Sequence, residues 1–279
     1  MNLEEICFKT IAIAKVVGQF IKSQSSEITE QTVEEKSTNS LVTYVDKTAE
    51  KMLVEGLQKL IPDSGFITEE ETINKTGELY NWIIDPLDGT TNFIHGIPCY
   101  SISIALMRNS KTSDLNNRLE PDSGQIILGI IYEINLEECF YAWENNKAYL
   151  NEKEIKVSDR VLLKDSLLAT GFPYYDYSRQ GDYMNLFKDL MKTSRGLRRL
   201  GSAAVDLAYV ACGRFEGFYE YSLNSWDVAA GAFIVQQAGG KVCDFSGGDN
   251  YVFGKEIIAT NSIIHEELKN KVKGHFIMK

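Results

Sequence analysis

The run Trp82-Ile83-Ile84-Asp85-Pro86-Leu87-Asp88-Gly89-Thr90-Thr91-Asn92 constrains this chain more than any other stretch. An apolar strand runs straight into two carboxylates three residues apart, Asp85 and Asp88. Pro86 restrains the backbone between them and removes one N–H. Gly89 permits a tight turn. The N–H groups that follow, on Gly89, Thr90 and Thr91, can then point at an anion. Carboxylates beside free amides are what a metal-bridged phosphate needs. The metal takes the carboxylates, and the phosphate takes the metal and the amides. Standing alone, an Asp-Pro-x-Asp-Gly segment reads as a turn, so further elements must decide.

Two such elements are present. Glu69-Glu70-Glu71 follows a short strand at Gly65–Thr68, and Trp226-Asp227 opens a helix. Alone, the first is a solvated charge run and the second an acid favoured by the helix dipole. Together, Asp85, Asp88, Asp227 and one glutamate give four hard oxygen ligands. Magnesium prefers octahedral oxygen and keeps several waters. Two ions about 3.5–4 Å apart, bridged by one carboxylate, suit phosphoryl transfer.

The 279 residues, 44% of them hydrophobic, suffice for one large domain or two closely packed halves. A division at residue 150 is expected, with 1–150 carrying most metal ligands and 151–279 carrying Asp227, in one compact unit. The net charge of −10 argues against nucleic acid and anionic lipid as partners. It also implies that an anionic substrate needs local cations, which bound metals would supply. Cys7, Cys99, Cys139, Cys212 and Cys243 are scattered, without CxxC spacing, and read as reduced thiols of a cytoplasmic protein. Glu4 and Glu5 stand where a signal peptide would carry positive charge. The longest apolar run, near Ile126–Tyr132, is too short to span a membrane.

Apolar spacing predicts a helix from Leu3 to Ile21 and a second through Ala49–Leu60, capped by Thr43 with Asp46 three residues on. Ser23–Lys36 reads as irregular, and Asn109–Ser123 as an exposed loop. Tyr100–Leu106 alternates, with Ile102, Ile104 and Leu106 on one face. Ile126–Ile134 and Glu138–Trp143 read as paired strands, so the first half looks like two helices and an antiparallel sheet. The second half alternates: strands at Leu167–Thr170, Phe215–Tyr221 and Ile257–Thr260, helices at Tyr183–Lys192, Ala203–Cys212, Asp227–Ala238 and Ser262–Lys273. That alternation argues α/β.

In order and with their flanks, these segments resemble the inositol monophosphatase family, bacterial type. The stretches that carry it are Phe66-Ile67-Thr68-Glu69-Glu70, Asp85–Asn92, Gly201-Ser202-Ala203-Ala204, and Trp226-Asp227-Val228-Ala229-Ala230-Gly231 ending in Ala238-Gly239-Gly240. Lys36 and Leu41–Asp46 match the family's N-terminal segment. Thr68 departs from the glycine usual before the first glutamate, and the Asn109–Ser123 loop is longer than typical.

The resemblance implies a layered αβαβα sugar-phosphatase fold and hydrolysis of a small phosphate monoester, myo-inositol monophosphate foremost, by direct attack of a metal-activated water. Two to three Mg2+ ions are implied. Glu69, Asp85 and the Leu87 carbonyl would hold one, and Asp85, Asp88 and Asp227 another. Glu69 would also hold a weaker third ion and the attacking water. Thr90, paired with Asp46, would help deprotonate that water, and Lys36 would lie beside a loop closing on the metals. Gly89 and Thr90 would contact phosphate, while Gly201, Ser202, Ala203, Glu220 and Asp227 would line the alcohol side. A homodimer and lithium sensitivity are implied in the same way.

Within the superfamily the alternatives are fructose-1,6-bisphosphatase, histidinol-phosphate phosphatase and 3′-phosphoadenosine nucleotide phosphatase. Arg195, Arg198 and Arg199 are either a solvated or subunit-contact face or a second phosphate pocket. An aspartyl-phosphate phosphatase also places Asp and Gly-Thr after a buried strand, but with its carboxylates two apart rather than three. A catalytically idle binding protein on the same fold is the reading from a different class.

Overall fold

The computed structural model describes residues 1–25, 33–37, 40–110, 124–173 and 176–276. Amphipathic spacing makes α1 (Leu3–Gln24) and α2 (Tyr44–Leu60), whose apolar faces cover one side of a seven-stranded sheet. Thr43 caps α2 in a box with Asp46, as expected. A hairpin of β1 (Val33–Ser37) and β2 (Ser40–Thr43) precedes it, so the stretch expected to be irregular contains a strand.

The large sheet has the order β3 (Gly65–Thr68), β4 (Tyr80–Asp88), β5 (Ser101–Asn109), β6 (Gly124–Glu133), β7 (Glu138–Trp143), β8 (Ala148–Leu150), β9 (Lys153–Ile155). Its ladder is antiparallel except at β3–β4, which is parallel. Beyond residue 150 the sheet continues through β9. Residues 111–123, most of the loop expected after Asn109, lie outside the described residues, as do Tyr174 and Tyr175.

A five-stranded sheet forms from the second half in the order β11 (Gly196–Arg198), β10 (Leu167–Thr170), β12 (Gly217–Tyr221), β14 (Glu256–Thr260), β13 (Lys241–Cys243). Between the sheets lie α5 (Ala203–Ala211) and α6 (Ser225–Gln237). On the outer face of the smaller sheet lie α4 (Gln180–Thr193) and α7 (His265–Phe276). The five layers are therefore αβαβα, the arrangement the resemblance implied.

The middle helix layer explains why β5 is buried on both faces. Ile102, Ile104 and Leu106 meet α1 and α2, while Ala105 and Met107 face α5 and α6. Small residues permit the close approach: a β-carbon at Gly129 would meet the Ala230 carbonyl at 2.7 Å. The Ser103 hydroxyl donates to the Trp226 carbonyl at 2.9 Å, fixing the start of α6 against β5. The described cysteines form no disulfide. Among the described residues, no helix is long and apolar enough to cross a membrane.

Candidate metal and phosphate site

In a regular strand, residues three apart point to opposite faces. Asp85 and Asp88 escape this rule because the β4–β5 register slips between them: Asp85 pairs with Ser103 but Asp88 with Ser101. Three steps on β4 match two on β5, which is a bulge of one residue. Pro86 is tolerated there because a bulge breaks the ladder. The bulge lets both carboxylates line one cavity, together with Glu69, Leu87 and Asp227. Gly89, at φ 97°, then turns the chain into α3 (Thr90–Ile94). The first turn of α3, with Gly89, Thr90 and Thr91, lines the same cavity.

Asp85, Asp88 and Asp227 are each fixed by committing one oxygen to the fold. Asp85 Oδ1 accepts the Leu87 N–H at 2.9 Å. Asp88 Oδ2 accepts the Ser202 hydroxyl at 2.6 Å and the Ala204 N–H at 2.7 Å, both at the start of α5. Asp227 Oδ2 accepts the Asn224 N–H at 2.7 Å, in the capping box of α6. Asp46 Oδ2 accepts the Thr43 N–H and hydroxyl at 2.9 and 2.6 Å. Its Oδ1 accepts the Thr90 hydroxyl at 3.1 Å, and that hydroxyl also reaches the Leu87 carbonyl at 3.0 Å. The helix-cap roles and the site roles of Asp46 and Asp227 therefore coexist.

Glu69 follows β3, and its N–H donates to the Ile84 carbonyl at 3.3 Å, which holds it beside Asp85. Buried Glu50 of α2 anchors what comes next. Its carboxylate accepts the Glu70 N–H at 2.7 Å, and the Thr72 N–H and hydroxyl at 2.8 and 2.7 Å.

The electrostatics are those of crowded, dehydrated acids. Burial, then the charges of Glu69, Asp88 and Asp227, push the Asp85 pKa well above the usual carboxylate range. Burial and Asp88 do the same to Asp227. Asp88 is pushed by burial to about 6, held back by its Ser202 and Ala204 bonds and the Arg199 charge. Asp85, Glu69 and Asp227 lie close enough to raise one another's proton affinity, and a divalent cation can take the place of a proton among such crowded acids. Among the described residues no three acidic, His or Cys side chains already form a closed ligand set. Four acids and Leu87 nevertheless line one cavity, and an oxygen-rich donor set of this kind fits a hard divalent cation.

Of the remaining expected residues, Gly201, Ser202, Ala203 and Glu220 line the cavity. The Ser202 hydroxyl donates to Asp88 and accepts the Val205 N–H, so Ser202 also positions Asp88. Lys36 lies in β1, its side chain outside the described residues, and β2 of the same hairpin packs on α3. Of the basic cluster only Arg199 lines the cavity; Arg195 pairs with Asp165 at 3.5 Å. Sequence reasoning gave no role to Glu50, Gly171 or Asp206. Each is a common residue with no local pattern, and only the tertiary structure brings it to the site.

Comparison with known proteins adds a family. Residues 2–275 match the model of the inositol monophosphatase family. An inositol-1-monophosphatase of Mesorhizobium japonicum is 34% identical over 264 residues, 94% of each chain. A protein of Neisseria meningitidis named as a putative Nus factor SuhB is 36% identical over 263 residues, 94% of this chain and 95% of that one. The crystal structure of the extragenic suppressor protein SuhB of Bartonella henselae superposes with a TM-score of 0.87 at 36% identity, covering 98% of this chain and 99% of that one.

Proposed function

Because the chain belongs to the inositol monophosphatase family, metal-dependent phosphoric monoester hydrolases, we propose that it hydrolyses a polyol monophosphate, myo-inositol monophosphate foremost, using magnesium. The observation that carries this is the shared cavity of Glu69, Asp85, Asp88 and Asp227, with Thr90, hydrogen-bonded to Asp46 behind it, on its wall. Glu69, Asp85, the Leu87 carbonyl, Asp88 and Asp227 would hold the ions. Bound there, magnesium neutralises phosphate charge and lowers the pKa of water.

The chain's own groups do the rest. The amides of Gly89 and Thr90 orient the phosphate. The Thr90 hydroxyl, aligned by Asp46 Oδ1, takes a proton from the attacking water while passing its own to Asp46. Burial raises the pKa of Asp46, which makes it a better proton acceptor than an exposed aspartate. Gly201, Ala203 and Glu220 face the alcohol. Water attacks phosphorus in line, the ester bond breaks with its electron pair staying on the alcohol oxygen, a solvent water protonates that oxygen, and no phosphoenzyme forms. Monoester hydrolysis is among the slowest uncatalysed reactions, so positioning and charge stabilisation carry most of the acceleration.

One relative is named a putative Nus factor rather than a phosphatase, which raises a role other than catalysis. The complete carboxylate set favours catalysis here, and a partner role would be additional. A homodimer and lithium inhibition are expected on the family's pattern. The deciding experiment is phosphate release in magnesium from inositol phosphates, fructose bisphosphate, histidinol phosphate and 3′-phosphoadenosine nucleotides, with and without Asp88→Asn. Turnover of an inositol monophosphate that the variant loses supports the proposal. Near-normal turnover by a folded variant refutes the site assignment.

A further inference from the structure

Asn92 closes the Asp85–Asn92 run, and the function proposed for the cavity gives it no task. It lies in α3 and is buried, 7% exposed. Its amide nitrogen donates twice, to the Cys99 carbonyl and to the Leu200 carbonyl, each at 2.8 Å. The first partner stands in the chain leading into β5, seven residues on. The second stands in the loop leading into α5, 108 residues on. Both N–H bonds of one side chain are thereby committed to backbone oxygens of two other segments.

The packing around this amide is close. Gly89 and Gly201 both stand at φ 97°. A β-carbon on Gly89 would lie 3.0 Å from the Cys99 carbonyl oxygen and 3.3 Å from that of Gly201. A β-carbon on Gly201 would lie 2.8 Å from the Asn92 amide nitrogen. The Ser101 and Ser202 hydroxyls are 3.3 Å apart beside it. Cys99 is held at φ 87°, where a residue with a side chain persists only if its surroundings impose it, and the Asn92 bond to its carbonyl does so. Space-filling alone does not call for an amide here, since an apolar side chain would fill the same volume without dehydrating polar atoms. What the amide adds is a tie between the turn that carries the Gly89 and Thr90 N–H groups and the loop that carries Gly201 and Ala203.

We propose that Asn92 is a positioning residue that sets the separation between the phosphate-side turn and the alcohol-side loop, so that a phosphate monoester is held across both at once. The proposal rests on the phosphatase function proposed for the cavity. An ester spans the turn and the loop together, whereas inorganic phosphate meets only the turn and the cations. Loss of the tie therefore penalises the ester and spares the free anion. A displacement of about 1 Å in such a site can cost about 10²-fold in rate.

The test compares the full chain with Asn92→Ala and Asn92→Ser in magnesium, on whichever monoester named above the wild type turns over fastest. Alcohol release gives kcat/KM for the ester and the inhibition constant of added inorganic phosphate. Alanine removes both donors, and serine keeps one. In Asn92→Ala, kcat/KM is expected to fall about 10–100-fold while the inhibition constant of phosphate stays within about threefold of the wild type. Asn92→Ser should show the same pattern with a smaller loss, and decides the matter if Asn92→Ala fails to fold. Equal losses in the two quantities overturn the proposal, because they mark a residue that supports the phosphate turn or the fold alone. A kcat/KM unchanged within about twofold overturns it as well. A wild type inactive on every monoester defeats the phosphatase reading and this proposal together. An active wild type with either of those results in the variants defeats the proposal alone.

Discussion

Asp46 holds Thr43 through one oxygen and Thr90 through the other, so the helix cap is also placed for the proton-acceptor role proposed for it. Thr90→Ala removes the hydroxyl proposed to link Asp46 to the attacking water. A positioned proton relay contributes roughly 10²–10⁴-fold, so kcat should drop by about that factor with KM little changed. Thr90→Ser keeps the hydroxyl and should recover most of the rate. Steady-state kinetics of the two variants check this; equal losses would mean the methyl group, not the proton path, matters. At this scale Asp85, Asp88, Glu69 and Asp227 were legible because each sits in a recognisable local run. Asp206 was not, because an aspartate in an alanine-rich helix start looks like any dipole partner. Its burial beside Glu220 depends on β12, which is remote in sequence.

Elements with strong periodicity were legible too: α1, α2, β6 and β7 lie close to where apolar spacing put them. The parallel β3–β4 pair was not, since pairing direction leaves no trace in either short strand. Neither were β9, β11 and β13, each three residues long and too short to show a period. The link from α2 to the site runs through Glu50, which accepts three hydrogen bonds from the segment that follows Glu69. Glu50→Ala strands those donors and should cost about 2–4 kcal/mol in unfolding free energy, since bonds to a charged acceptor are the strong ones. It should also raise the magnesium concentration for half-maximal activity. Urea melts and a magnesium titration read the two effects separately. A variant with normal metal dependence would show that Glu50 serves stability alone.

At the start of α7, His265 is buried and its Nδ1 lies 2.9 Å from the Thr260 hydroxyl. Burial lowers its pKa, so the folded chain binds this proton less readily than the unfolded chain. Its contribution is therefore fully present above the unfolded value of about 6.5 and is lost as pH falls through and below it. Wild-type unfolding free energy should decline between neutral and mildly acidic pH more steeply than that of His265→Gln. Parallel slopes would show that His265 does not titrate on unfolding in this window.

The cavity joins layers that elsewhere meet mainly through side-chain packing. Its acids, the proposed cation ligands, come from the end of β3, the bulge of β4 and the first turn of α6, while Asp88 also reaches across to α5. Like charges from separate layers repel, and that repulsion is part of the free energy of the metal-free fold. Cations that bind only when the layers are assembled stabilise the whole molecule rather than one loop. At a concentration about 100-fold above its dissociation constant, one such ion adds about 2.7 kcal/mol. At about 2–4 °C per kcal/mol for a chain of this size class, the melting temperature should rise by about 5–10 °C. Asp88→Asn removes a ligand and a source of repulsion together. Its metal-free melting temperature should equal or exceed that of the wild type, and its gain with magnesium should shrink. Differential scanning calorimetry with chelator and with magnesium measures all four values. A wild-type melting temperature indifferent to magnesium would mean that these acids do not form a common cation site.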